Sequence, residues 1–158
     1  RGDFFFINNM RKLFLFLFLT LIFWNNAFAR KTGCEGDCEN GFGTWTYTDQ
    51  TVYKGEWLKS KKHGQGTETW PNGYIYVGEF INSKWDGQGT LTFPDGATYS
   101  GEWSKGNMNG EGTFTWVNGN IYVGEFIDSS RYGQGTMTNA DGTVEKGIWE
   151  NGKLIESN

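Results

Sequence analysis

Proline is nearly missing from this sequence, with 2 in 158 residues, while glycine reaches 24. That combination excludes a collagen-like chain, which needs both. An aromatic content of 18% excludes a disordered chain, because disordered segments are poor in rings. One histidine and two cysteines leave little for a metal centre, since a structural zinc takes about four ligands. A basic excess is missing too, the formal net charge being −4. Nucleic acid wants a basic footprint and anionic lipid a polybasic segment, so the charge argues against both. What remains is one domain by length, built from many short strands and tight turns.

Only one long apolar run is present, LFLFLFLTLIF at residues 13–23. It follows the basic start Met10-Arg11-Lys12 and precedes the small-x-small end Ala27-Phe28-Ala29. Residues 10–29 therefore read as a secretory signal peptide cut after Ala29. A retained anchor is the other reading, but the run falls short of the ~20 residues a membrane span needs. Residues 1–9 stand ahead of Met10 and read as a non-native upstream extension. The expected location is periplasmic, envelope-associated or secreted. Removing Arg1, Asp3, Arg11 and Lys12 leaves 11 basic and 17 acidic residues, a net charge of −6. Residues 30–40 form a segment holding Cys34 and Cys38. In an exported chain a disulfide between them is expected, and a turn brings residues four apart close enough. Metal binding is the weaker alternative, with His63 the one other soft ligand.

The dominant feature is a repeat. Gly41, Gly64, Gly87, Gly110 and Gly133 recur every 23 residues. Tyr53, Tyr76, Tyr99 and Tyr122 keep the same step, as do Glu56, Glu79, Glu102 and Glu125. The next position alternates Trp57, Phe80, Trp103 and Phe126, ending at Trp149. A fixed period of this size marks an array of supersecondary units. One unit is YVGEFINSKWDGQGTLTFPDGAT, residues 76–98. YVGEF and GQGTLTF alternate with period two and read as strands. Residues 82–86 read as the turn between them. The Asp-Gly and Asn-Gly pairs at Asn72, Asp95, Asn118 and Asp141 read as the next turns, because glycine accepts a positive φ without steric cost. The array comprises a half unit at residues 41–52, full units at 53–75, 76–98, 99–121 and 122–143, and a terminal piece at 144–154. Residues 155–158 are a tail. The fold class is all-β, a single-layer antiparallel meander or solenoid of two-strand hairpins with about ten strands.

Tyr-x-Gly-Glu-Trp/Phe, a polar stretch, Gly-x-Gly and then Asp/Asn-Gly is a pattern that resembles the MORN (membrane occupation and recognition nexus) repeat. The resemblance covers residues 41–154. It weakens near the C-terminus, where Asn139-Ala140 replaces an aromatic and proline and Ile148 stands at a glutamate position. It implies protein–protein scaffolding, self-association or membrane-lipid association. The family also forms the accessory part of some lipid kinases and methyltransferases, but this sequence shows no counterpart of those catalytic domains.

On one predicted face stand Tyr53, Trp57, Trp70, Tyr76, Phe80, Phe93, Tyr99, Trp103, Trp116, Tyr122 and Phe126. They serve as a core, and as a candidate binding face if one layer leaves them partly open. Glycines between them leave room for rings to lie across the sheet. The other face carries Thr-x-Thr in every unit and the repeated glutamates. These glutamates read as solvated charges. Their spacing of roughly 10 Å loosely suits a glycosidase pair, but four near copies argue against one catalytic pair. Ile75, Val77 and Ile81, with Ile121, Val123 and Ile127, form apolar stripes there, a candidate dimer contact. Units two and four are the closest pair, sharing 14 of 23 residues. No Walker loop, dinucleotide fingerprint or Ser-His-Asp set is present. The expectation is a non-enzymatic scaffold without a cofactor, with a protein partner or a homodimer. The alternative is a carbohydrate- or lipid-binding module using the aromatic face, with polysaccharide or lipid as ligand.

Overall fold

The structure, a computed structural model, describes residues 32–158. The upstream extension and the signal peptide lie outside the described residues. Twelve strands run in chain order in one antiparallel sheet. They are β1 (Gly33–Gly36), β2 (Phe42–Thr46), β3 (Val52–Leu58), β4 (Lys61–Thr69), β5 (Ile75–Ile81), β6 (Lys84–Thr92), β7 (Thr98–Ser104), β8 (Asn107–Thr115), β9 (Ile121–Ile127), β10 (Ser130–Thr138), β11 (Val144–Glu150) and β12 (Lys153–Ser157). The two strands beyond the expected ten are the ends. β1 draws on the cysteine segment, pairing Cys34 with Trp45, and β12 takes up residues assigned to the tail.

Two kinds of turn alternate. The expected turn at residues 82–86 shrinks to Asn82-Ser83, and Lys84, Trp85 and Asp86 belong to β6. Asn82 and Ser83 both have positive φ, 52° and 66°, as the mirror-image two-residue turn requires to match strand twist. The Asp-Gly and Asn-Gly sites instead build three-residue loops. In Pro71-Asn72-Gly73, Gly73 N–H donates to the Trp70 carbonyl at 3.0 Å, and Trp70 N–H donates to the Tyr74 carbonyl at 2.9 Å.

Each full unit holds a bulge between its two strands. Gly55 pairs with Gly66, but Glu56 pairs with His63, so Gly64 and Gln65 bulge out of β4. Gly87, Gly110 and Gly133 mark the same irregularity in later units. These first glycines of the GxGT motif adopt positive φ, 55° at Gly64 and 103° at Gly87. The second glycines do the work expected of both. A Cβ at Gly66 would stand 2.5 Å from the Tyr53 ring. Tyr53 lies across the Gly55–Gly66 pair, and its hydroxyl donates to the Glu56 carbonyl at 2.9 Å.

The core is a continuous edge-to-face chain of rings along the sheet. It runs Trp57, Tyr53, Phe80, Tyr76, Trp103, Tyr99, Phe126, Tyr122, Trp149. Tyr53 and Phe80, for example, sit 4.9 Å apart at 78°. Aromatic pairs in this geometry add about 0.5–1.5 kcal/mol each beyond burial. Where the alternating position is tryptophan, its indole N–H finds a carbonyl 14 residues back. Trp57 donates to Gly43, Trp103 to Gly89 and Trp149 to Gly135, at 3.0–3.1 Å. Phenylalanine carries no such donor to satisfy.

Candidate functional site

A one-layer sheet leaves its rings facing solvent unless something roofs them. The four tyrosines nonetheless have no accessible surface. The roof comes from the second residue after each two-residue turn pair, at repeat positions Lys62, Trp85, Met108 and Arg131. Each lies across the strands from the Trp or Phe of its own hairpin. Trp85 stacks flat on Tyr76, with centroids 4.5 Å apart and planes 6° apart. Lys62 Nζ stands 5.4 Å from the centre of Tyr53 and pairs with the buried Glu68. The Arg131 guanidinium lies 4.6 Å from Trp149 and 5.6 Å from Tyr122, and donates to the Gly152 carbonyl. Cations over ring faces are held by the ring quadrupole. Burial pulls the Arg131 guanidinium below its ordinary range, opposed by Tyr122 and Glu145. Burial likewise pushes the phenols of Tyr53, Tyr76 and Tyr99 up, with nearby glutamates adding to it. Tyr122 is pushed up to about 12, mainly by burial, with Arg131 working against the shift.

This roof narrows the ring-lined surface. Of the eleven rings on the candidate face, Tyr53, Trp57, Tyr76, Phe80, Tyr99, Trp103, Tyr122 and Phe126 are buried and are core. Trp70, Phe93 and Trp116 stay half-buried. With Tyr47 they form a rim, one ring per unit, just before each three-residue loop. Phe114 bridges the rim, 5.5 Å from Phe93 and 4.5 Å from Trp116. The rim stops at Asn139, where the unit carries no ring. The roof position escapes a reading of the sequence because its identity changes in every unit. Its one shared trait is a long side chain at a fixed step.

The glutamates are not idle surface charges. Glu56 Oε1 accepts the N–H of Gln65 at 2.9 Å, and Glu79 and Glu125 do the same for Gln88 and Gln134. Each carboxylate thus satisfies a backbone donor that the bulge leaves without a ladder partner, a charge-assisted bond. In the third unit Glu102 overhangs Gly110, and Glu111 stands where the others have glutamine. A carboxylate engaged in this way is a structural clamp on the bulge. Among the described residues no cluster of three or more His, Cys, Asp or Glu could hold a metal ion. Cys34 and Cys38 are joined in the structure, with Cα atoms 6.2 Å apart. Near them a pocket of about 660 Å³ opens, lined by Trp45, Tyr47 and Trp57 with Cys38, Thr46 and Ser60.

The same four registers of tyrosine, glycine, glutamate and bulge match the family model for the MORN repeat at residues 53–73, 76–98, 99–121 and 122–144. The chain belongs to the MORN repeat family. No curated protein matches the chain. MORN repeats are commonly protein- or membrane-interaction modules, and the family is generally non-catalytic. The MORN units account for β3 to β10, while β1 and β2 precede the matched residues and the pocket beside them borrows Trp57 and Ser60 from the first unit.

Proposed function

We propose that this MORN protein is a non-enzymatic scaffold of the cell envelope or exterior, holding a protein partner on its aromatic rim. One observation carries the reading: Tyr47, Trp70, Phe93 and Trp116 stay half-buried beside a ring core that is otherwise closed. Half-exposed Trp and Tyr in a row are the side chains that dominate binding energy at protein interfaces. A net charge of −6 for residues 30–158 disfavours an anionic membrane as the ligand. The test compares proteins retained from envelope extracts by the wild type and by the W70A/W116A variant. A partner held by the wild type and lost by the variant supports the reading. A partner retained equally by both contradicts it.

The pocket at β1 and β2 favours a second reading, a neutral carbohydrate. Its lining pairs indole and phenol faces with hydroxyls and includes no Asp, Glu, Lys or Arg. Tryptophan fluorescence titrated with neutral oligosaccharide tests it. No change up to millimolar concentration rules it out.

A further inference from the structure

Opposite the rings, the second face carries a pattern that is nearly symmetric about β7. β5 and β9 are the same heptapeptide, IYVGEFI. They expose Ile75, Val77 and Ile81 at 38, 51 and 46%, and Ile121, Val123 and Ile127 at 37, 51 and 45%. β4, β6, β8 and β10, flanking these two strands, each present Thr-x-Thr. β7 differs from its neighbours mainly on this face, where Thr98 and Ser100 replace isoleucine and valine. The register aligns these residues into two rows across the sheet. Val77 lies between Thr67 and Thr90, and Ile75 between Thr69 and Thr92. On the outer sides, β3 and β11 close both rows alike, with Val52 and Lys54 on one and Val144 and Lys146 on the other. From β4 to β10 neither row holds a charge. β-Propensity explains threonine and valine on a pleat, but not why lysine and glutamate are excluded. The very next row on the same face is acidic, with Glu79, Glu102 and Glu125.

We infer that these two uncharged rows are the contact for a second copy of the chain, the two sheets packed face to face. Charge supplies the argument: on an acidic chain, two uncharged rows are where a second copy can approach without repulsion. In an isologous contact each surface meets itself. A two-fold axis across the strands sets β5 on β5 and β9 on β9 of the partner, so apolar strands cover apolar strands and hydroxyls cover hydroxyls. An axis along the strands also matches the stripes, because β5 then meets β9. It would however stack the acidic rows on each other, with Glu102 opposite Glu102. The first arrangement sends those rows to opposite sides and is the one inferred. Seven strands at ~4.8 Å by two rows give a footprint of roughly 500 Å² per copy, or about 1,000 Å² in all, the lower bound of a specific interface. The contact is therefore weak and reversible. It uses the face opposite the aromatic rim, so its failure would leave the partner reading standing.

Sedimentation velocity on the purified protein tests it, from low micromolar to roughly 100 µM. The expected result is a reversible dimer over this range, unchanged by Val117→Lys, a turn residue 63% exposed outside the stripe. The double substitution V77K/V123K should leave a monomer at every concentration. Should that variant not fold, V77S/V123S imports the serine that β7 already tolerates at this place, and should weaken the dimer at least tenfold. A wild type monomeric throughout overturns the inference. So does a dimer that either folded variant leaves as tight, or a face held by a different protein while the chain stays monomeric.

Discussion

Tyr99 lies flat across Gly101 and Gly112, and its hydroxyl reaches the Glu102 carbonyl at 2.9 Å. A Cβ on Gly112 would meet the Tyr99 ring at 2.5 Å, too close for any side chain. Gly112→Ala must therefore push the ring out of the core chain, at a cost of about 1–3 kcal/mol or more. A denaturation midpoint like that of the wild type would contradict this placement. The same burial makes the phenols a brake on alkaline stability. Folded pKa values above the unfolded value of about 10 mean that the unfolded chain loses protons first. Stability is thus complete below about pH 10 and falls as pH rises toward the folded values of Tyr53, Tyr76, Tyr99 and Tyr122. Melting temperature followed from pH 8 upward should drop together with the appearance of tyrosinate absorbance. Ionisation of these four near pH 10 without loss of structure would be the wrong sign. At this scale the tyrosines and the second glycines were legible from their period alone. The glutamate clamps were not, because an acidic residue on a polar face gives no sign that a bulge beside it needs an acceptor.

At the scale of elements, each hairpin is a strand of period two facing a longer strand with a bulge. The strands were readable because ring and glycine alternate with threonine and charge. The turns were half readable: Asp-Gly correctly marked a reversal but selected the three-residue loop. Three of the tighter turns, Lys59-Ser60, Asn82-Ser83 and Asp128-Ser129, have no glycine to announce a positive φ, while Lys105-Gly106 and Asn151-Gly152 keep one. Trp85 lies within the expected turn at residues 82–86 but belongs to β6, so the sequence pattern hides the roof position. The first and second units now differ in an instructive way. Lys62 and Glu68 form a buried ion pair where the second unit has Trp85 and Leu91. Buried pairs gain little over well-packed apolar groups, and losing one partner strands the other charge. Lys62→Met should therefore destabilise by about 3 kcal/mol or more, while K62W/E68L should be neutral or stabilising. Chemical denaturation of both variants checks the order, and a double variant weaker than the single one would refute it.

For the whole molecule, a sheet of twelve strands has one face sealed by its own side chains, apart from a rim, and one face open. Repetition explains the sealing, since each ring and glycine has copies in the same surroundings. Stability in such arrays accumulates unit by unit through neighbour contacts. We place the proposed function on the half-buried rim that ends at Asn139, with the β1–β2 pocket as the second candidate. The most direct measurement places a photo-crosslinking side chain at Trp116 in producing cells, with the same probe at Thr90 on the opposite face as reference. The scaffold account predicts one discrete protein adduct at Trp116, not reproduced at Thr90. No adduct at Trp116, or that same protein captured only from Thr90, would contradict it.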